Sequence, residues 1–195
     1  MILAEQVTII HHESTVRPPS LEAARDTSAP AVFWAAGPTE LLTHPKLGFF
    51  CSSQCPGSII LKTFDAITQM RDEGRLLIGG FHSVMEWECL GILLRGRQPI
   101  IWVPARSIIG MRLKPELQRA FMEGRLLILS PFPPAQNRIT TALAQQRNRF
   151  VCALADRIFV PYAAPGSRTA ALREEIRILG KDILTLPDVI LNVPT

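Results

Sequence analysis

The richest concentration of hydrogen-bond donors in this 195-residue chain is Arg147-Asn148-Arg149. Two guanidinium forks suit phosphate oxygens, and an asparagine between them suits a base edge or a sugar. The two arginines would point about 200° apart in the middle of a helix, but a helix beginning near Arg147 would let both meet one phosphodiester backbone. The flanking Leu143, Phe150 and Val151 give this segment a buried face, so it is more than a solvated surface helix. Downstream, Ala163 to Ala170 reads AAPGSRTA. Gly166, Ser167 and Thr169 offer amides and hydroxyls, and Arg168 adds charge, as a phosphate cradle at a helix start requires. A plain strand–turn–helix connection would also use Gly and Ser here.

Two further segments have similar chemistry. Cys51 to Ser58, CSSQCPGS, brings Ser52, Ser53 and Gln54 ahead of Gly57 and Ser58, where Ser58 would serve equally as a helix cap. Gly79 to Ser83, GGFHS, has paired glycines that let a backbone approach a ligand, with Gly80 and His82 as contacts. Ser83 and Glu86 have capping-box spacing, so Glu86 reads either as a cap or, in an enzyme, as the catalytic carboxylate, for which Glu174 is the other candidate. His11 and His12 are adjacent and would face opposite sides of a strand, which argues against a shared metal. Cys51 and Cys55 form only a CxxxC, and the four cysteines read as reduced, partly buried thiols. No metal and no cofactor is expected. GxxxxGK[ST], GxGxxG and GxSxG are all absent, which argues against a P-loop nucleotidase, a dinucleotide dehydrogenase and an α/β-hydrolase.

Elements must hold these segments at one place. Short apolar runs at Val32–Ala35, Leu47–Cys51, Leu76–Ile78, Ile100–Val103, Leu126–Leu129, Ile158–Val160 and Ile183–Leu186 read as buried strands. Helical spacing falls between most of them, as in Ile60, Phe64 and Ile67, or Leu172, Ile176 and Leu179. Gly74, Gly124 and Gly180 each stand where a helix stops, and Pro115 where one could start. EGRLLI occurs at Glu73–Ile78 and again at Glu123–Ile128, as helix end, glycine stop and buried strand. Alternating strands and helices predict an α/β fold, Rossmann-like and three-layered, with a mainly parallel sheet. Ligands of such folds bind beyond the carboxyl ends of the strands, where all four segments would lie.

Composition sets the bounds. Hydrophobic residues make up 47% and charged residues 19%, which fits one well-buried domain. The division expected is an irregular arm over residues 1–30 and a Rossmann-like domain over 31–195. The N-terminus lacks a basic leader and an apolar core, and no apolar run is long enough to span a bilayer, so a cytoplasmic protein with no membrane partner is expected. The formal charge is +4. Arg138 to Lys181 holds eight cations against three anions, a basic stretch that calls for an anionic partner unless it is an ordinary solvated surface.

In this order, the segments resemble the Rossmann-like core of the DprA/Smf family of DNA-processing proteins, from about Pro18 to Pro187. Pro30 to Gly37 is similar to that family's lead strand, and Ser52-Ser53-Gln54 stands at its Gly-Ser-Arg. Gly79 to Glu86 corresponds to its Ser-Gly-x-Ala-x-Gly-Ile-Asp. Arg147-Asn148-Arg149 with its apolar continuation to Asp156 is the strongest match. Leu126 to Pro134 resembles its strand and Pro-Pro loop, and Pro165 to Ala170 its Ser-Gly-Ser-x-x-Thr-Ala. The resemblance implies binding of single-stranded DNA along a basic groove and a homodimer, with delivery of the recombinase RecA in that family. The same superfamily includes nucleotide phosphoribohydrolases of the LOG type, whose PGGxGTxxE loop Pro165 to Glu175 loosely echoes. Two functions follow: a non-enzymatic binder of single-stranded DNA, or an enzyme cleaving the base–ribose bond of a nucleotide. The first is the reading adopted.

Overall fold

A computed structural model describes residues 1–11 and 30–190. His12, Pro18, Pro19 and Ser20 lie outside the described residues. The strands are β1 (Val7–His11), β2 (Val32–Ala36), β3 (Leu47–Phe49), β4 (Leu77–Gly79), β5 (Ile100–Trp102), β6 (Leu126–Ser130), β7 (Arg157–Phe159) and β8 (Ile183–Leu184). The helices are α1 (Gly57–Asp72), α2 (Val84–Leu94), α3 (Pro115–Met122), α4 (Thr141–Leu154), α5 (Arg168–Ile178) and α6 (Leu186–Ile190). They form one sheet in the order β1-β2-β6-β5-β4-β3-β7-β8. From β6 to β8 every pairing is parallel; β2 pairs antiparallel with both β6 and β1.

All seven apolar runs are strands. The sheet also has an eighth, β1, inside the stretch expected to be irregular. Its sequence VTIIH buries Ile10 while Thr8, Ile9 and His11 are exposed, so an edge strand with one covered residue left little periodicity to read. Among the described residues no helix is long and apolar enough to cross a membrane.

Strand pleating sorts the core into two layers. Leu126 and Ile128 face one side with α1, α2 and α3, whose Ile67, Leu90 and Leu117 are buried there. Leu127 and Leu129 face the other side with α4 and α5, through Phe150, Val151, Leu172 and Ile176. Phe150 meets Phe33 of β2 edge-on, with ring centroids 5.2 Å apart, fixing the rotation of α4 about its axis.

The two EGRLLI copies are one corner built twice. Gly74 and Gly124 both have positive φ, +73° and +69°, which a side chain would strain. After each, Arg75 N donates to Met70 O and Arg125 N to Ala120 O, the six-to-one bond of a Schellman ending. Each also carries an ion pair, Arg75 with Glu73 at 2.5 Å and Arg125 with Glu123 at 2.6 Å.

Candidate nucleic-acid interface

The chain passes through β3, β4, β5 and β6 in one direction across the sheet, then returns to lay β7 and β8 on the other side of β3. The connection from β3 leads to α1 on one face, and that from β7 leads to α5 on the other. The switch point of the sheet, where open α/β folds take ligands, therefore falls between the carboxyl ends of β3 and β7.

Backbone bonds zip the two exits together: Phe50 N donates to Phe159 O at 3.1 Å and Ser52 N to Tyr162 O at 3.1 Å. Side chains finish the join. Buried Ser52 accepts from Ala164 N at 2.9 Å, and its Oγ lies 3.1 Å from Ser167 Oγ. Ser167 is also the N-cap of α5, accepting from Ala170 N at 3.1 Å. Two predicted segments thus meet in one hydroxyl pair. Around it Ser53, Gln54, Gly166 and Arg168 are exposed and Thr169 is half-buried. Among the described residues Arg168 has no ion-pair partner. The leading amides of α1 and α5, those of Gly57 and Ser58 and of Arg168 and Thr169, have no acceptor within their own helices, and the helix dipole favours an anion there. Ser58 is not the cap of α1: the helix begins at Gly57 after Pro56, and no side chain caps it.

The β4 exit sits beside them. Buried Glu86 accepts from Cys51 N at 3.1 Å through Oε1, and from His82 N and Ser83 N at 2.9 and 3.2 Å through Oε2. Ser83 Oγ accepts from Glu86 N at 3.1 Å, completing a capping box, and donates to Cys51 O at 3.3 Å. Glu86 is a brace between two strand exits as well as a cap. His82 points its amide at Glu86, and the residue is exposed. Phe81, between them, has φ +44°, strained for a bulky residue, and its ring is buried beside Phe49. That strain at a strand exit carries no sequence signal.

Arg147 and Arg149 do not face one surface. The helix begins at Thr141, not near Arg147, so both arginines lie mid-helix and diverge. Arg147 is 3% exposed. Its Nη1 donates to Val103 O at 2.9 Å, at the β5 exit, and its Nε to Asn148 Oδ1 at 2.7 Å. Burial pushes its pKa below the ordinary arginine value, while the nearby Glu86 charge opposes the change. Gly80 makes room for the guanidinium. Arg149 faces outward to Glu175 of α5, with bonds of 2.9 and 3.2 Å. Seven residues of helix separate Arg168 from Glu175, about 10 Å, so Arg149 stands well down from the switch point.

Much of the basic final third is similarly engaged. Arg157 pairs with Asp182, Arg173 and Arg177 with Glu174, and Lys181 donates to the carbonyls of Ala153 and Ala155.

No family model and no curated protein matches the sequence. Solved structures do match the geometry. DNA processing protein A from Streptococcus pneumoniae superposes with a TM-score of 0.77 over 93% of this chain, at 18% identity. The fold is that of the matched part of DNA processing protein A. The Helicobacter pylori protein of the same name, which binds single-stranded DNA, gives 0.74 over 92% of this chain and 80% of its own, also at 18% identity. This chain spans 63% of the pneumococcal DNA processing protein A, under two thirds of its length. The molybdenum cofactor carrier protein of Chlamydomonas reinhardtii matches more weakly, with a TM-score of 0.50 over 73% of this chain and 76% of its own at 14% identity.

Proposed function

We propose that this chain binds single-stranded DNA across the carboxyl edge of its sheet, and that it does so without catalysis. The observation that carries the reading is the hydroxyl pair of Ser52 and Ser167, which closes the β3 and β7 exits on each other at the switch point. That pair joins the loops of Ser53, Gln54, Gly166, Arg168 and Thr169, and the Glu86 brace adds the loop of His82, which supports an edge where backbone amides, hydroxyls and a guanidinium would meet successive phosphates. Arg147, Asn148 and Glu86 brace the loops from beneath. The shared fold with a DNA processing protein A that binds single-stranded DNA supports the same ligand.

Nucleotide cleavage finds less support. It needs a carboxylate free to activate water, whereas both Glu86 oxygens are engaged with backbone amides and Glu174 pairs with arginines of its own helix.

Titration of labelled oligo-dT at several salt concentrations tests the proposal. Affinity should fall with salt by a slope of about 0.7 per phosphate neutralised, and Arg168→Ala should remove about one such increment. Absence of binding at low salt ends this reading. Release of free base from a purine monophosphate, abolished in Glu86→Gln with the fold intact, would replace it with the enzymatic one.

A further inference from the structure

The opposite end of the sheet carries a second concentration of positive charge. Two adjoining cavities of about 700 and 660 Å³ share the loop Arg95–Gly96–Arg97 between α2 and β5. Their walls hold five arginines, Arg71, Arg95, Arg97, Arg119 and Arg125, against three carboxylates, Asp72, Glu116 and Glu123. The carboxylates are unevenly used. Asp72 takes Arg71 at 2.8 Å and Glu123 takes Arg125 at 2.6 Å. Among the described residues Arg95, Arg97 and Arg119 have no ion-pair partner, and all three are exposed.

The walls are shaped as well as charged. Gly96 is compressed: a Cβ there would overlap Gln98 Oε1 and the stem of Arg71, so the loop between Arg95 and Arg97 packs tightly against α1. Gly91 is the reverse case. It lies inside α2 on the wall of the larger cavity, with nothing within 4 Å of where its Cβ would be. Packing does not require glycine there, and glycine is a poor interior helix residue. Its missing side chain leaves the wall low and the arginines reachable. Arg125 is held by Glu123 and by Leu94 O at 3.0 Å, while its Nη1 has no hydrogen-bond acceptor among the described residues. A lone phosphate would occupy only a small part of either cavity, so filling the two needs a run of phosphates. Among the described residues no aromatic lines either cavity, which leaves no platform there for stacking bases.

We propose that the amino edge is a second binding site, in which Arg95, Arg97 and Arg119 take backbone phosphates of single-stranded nucleic acid without reading its bases. The proposal is independent of the site proposed at the carboxyl edge.

The test is anisotropy of a long labelled oligo-dT against the intact chain over a range of salt. The triple variant Arg95→Ala/Arg97→Ala/Arg119→Ala alters only exposed, unpaired side chains, so its unfolding midpoint should match the parent. Its salt slope should be shallower by about 2, three phosphates at about 0.7 each. Gly91→Glu, which adds a carboxylate to the open wall, should weaken binding in the same direction. An unchanged slope in the folded triple variant overturns the proposal. Loss of tripolyphosphate binding with an unchanged oligo-dT slope overturns it too, by assigning the site to free polyphosphate. Arg168→Ala separates the two sites: if it is silent while the triple variant is not, the carboxyl-edge reading fails and this one stands.

Discussion

Gly80 and Arg147 are matched in size across 67 residues of sequence: the guanidinium of Arg147 occupies the space where a Cβ on residue 80 would stand. The charge is buried there, with Val103 O and Asn148 Oδ1 as its hydrogen-bond acceptors. Gly80→Ala must therefore displace a buried ion from its acceptors. We expect a loss of about 2–4 kcal/mol, the range for disturbing a hydrogen-bonded buried charge. Urea unfolding should show a lower midpoint with an unchanged slope. Arg147→Met combined with Gly80→Ala should cost less than the sum of the two single changes, because each removes the other's conflict. Additive losses would show that the two residues do not compete for space.

The inward turn of Arg147 could have been read from the chain. Leu143, Arg147, Phe150, Val151 and Leu154 follow the 4-3-1-3 spacing of one helix stripe, which places Arg147 among apolar residues and Arg149 away from them. A helix start near Arg147 was the wrong alternative because Thr140 is the cap, accepting from Leu143 N. Parallel strands and the glycine stops were legible because each carries a local signature: a continuous apolar run, or a glycine at positive φ. The meeting of Ser52 with Ser167 was legible only as a shared sheet edge, since nothing local links residues 115 positions apart. Edge strand β1 and the strained Phe81 had no such signature; pairing and packing impose them.

Glu86 should behave as structure and not as chemistry. Gln in its place keeps one carbonyl oxygen and turns an NH₂ toward amides that need acceptors. Glu86→Gln should cost about 2–3 kcal/mol, the penalty for leaving buried amides unsatisfied. Thermal unfolding would show it. A variant of full stability that lost an enzymatic activity would contradict this.

Arg149 and Glu175 form an exposed pair, half-open to solvent on both sides, so Arg149→Ala should cost only a few tenths of a kcal/mol. The pair does carry a pH signature. The Arg149 guanidinium holds the Glu175 carboxyl below its ordinary value of 4.5. A carboxyl whose folded pKa is depressed contributes stability above its unfolded pKa and loses it as pH falls through the folded one. Parent and variant should therefore differ most at neutral pH and converge in acid below 4.5. Unfolding curves that stayed parallel across that window would remove the pair from the account.

The cysteines should divide three to one. Cys51, Cys89 and Cys152 are buried, and burial raises all three thiol pKa values, that of Cys152 to about 12. Cys55 is only partly covered, and burial raises its thiol too, so it should react slowly at mildly alkaline pH. A thiol reagent added to the native chain should label Cys55 alone, and all four sites in denaturant, as mass spectrometry would count them. Rapid native labelling of Cys51 would mean that the loop holding Ser52 opens readily. The hydroxyl pair with Ser167 could not then hold the two exits together.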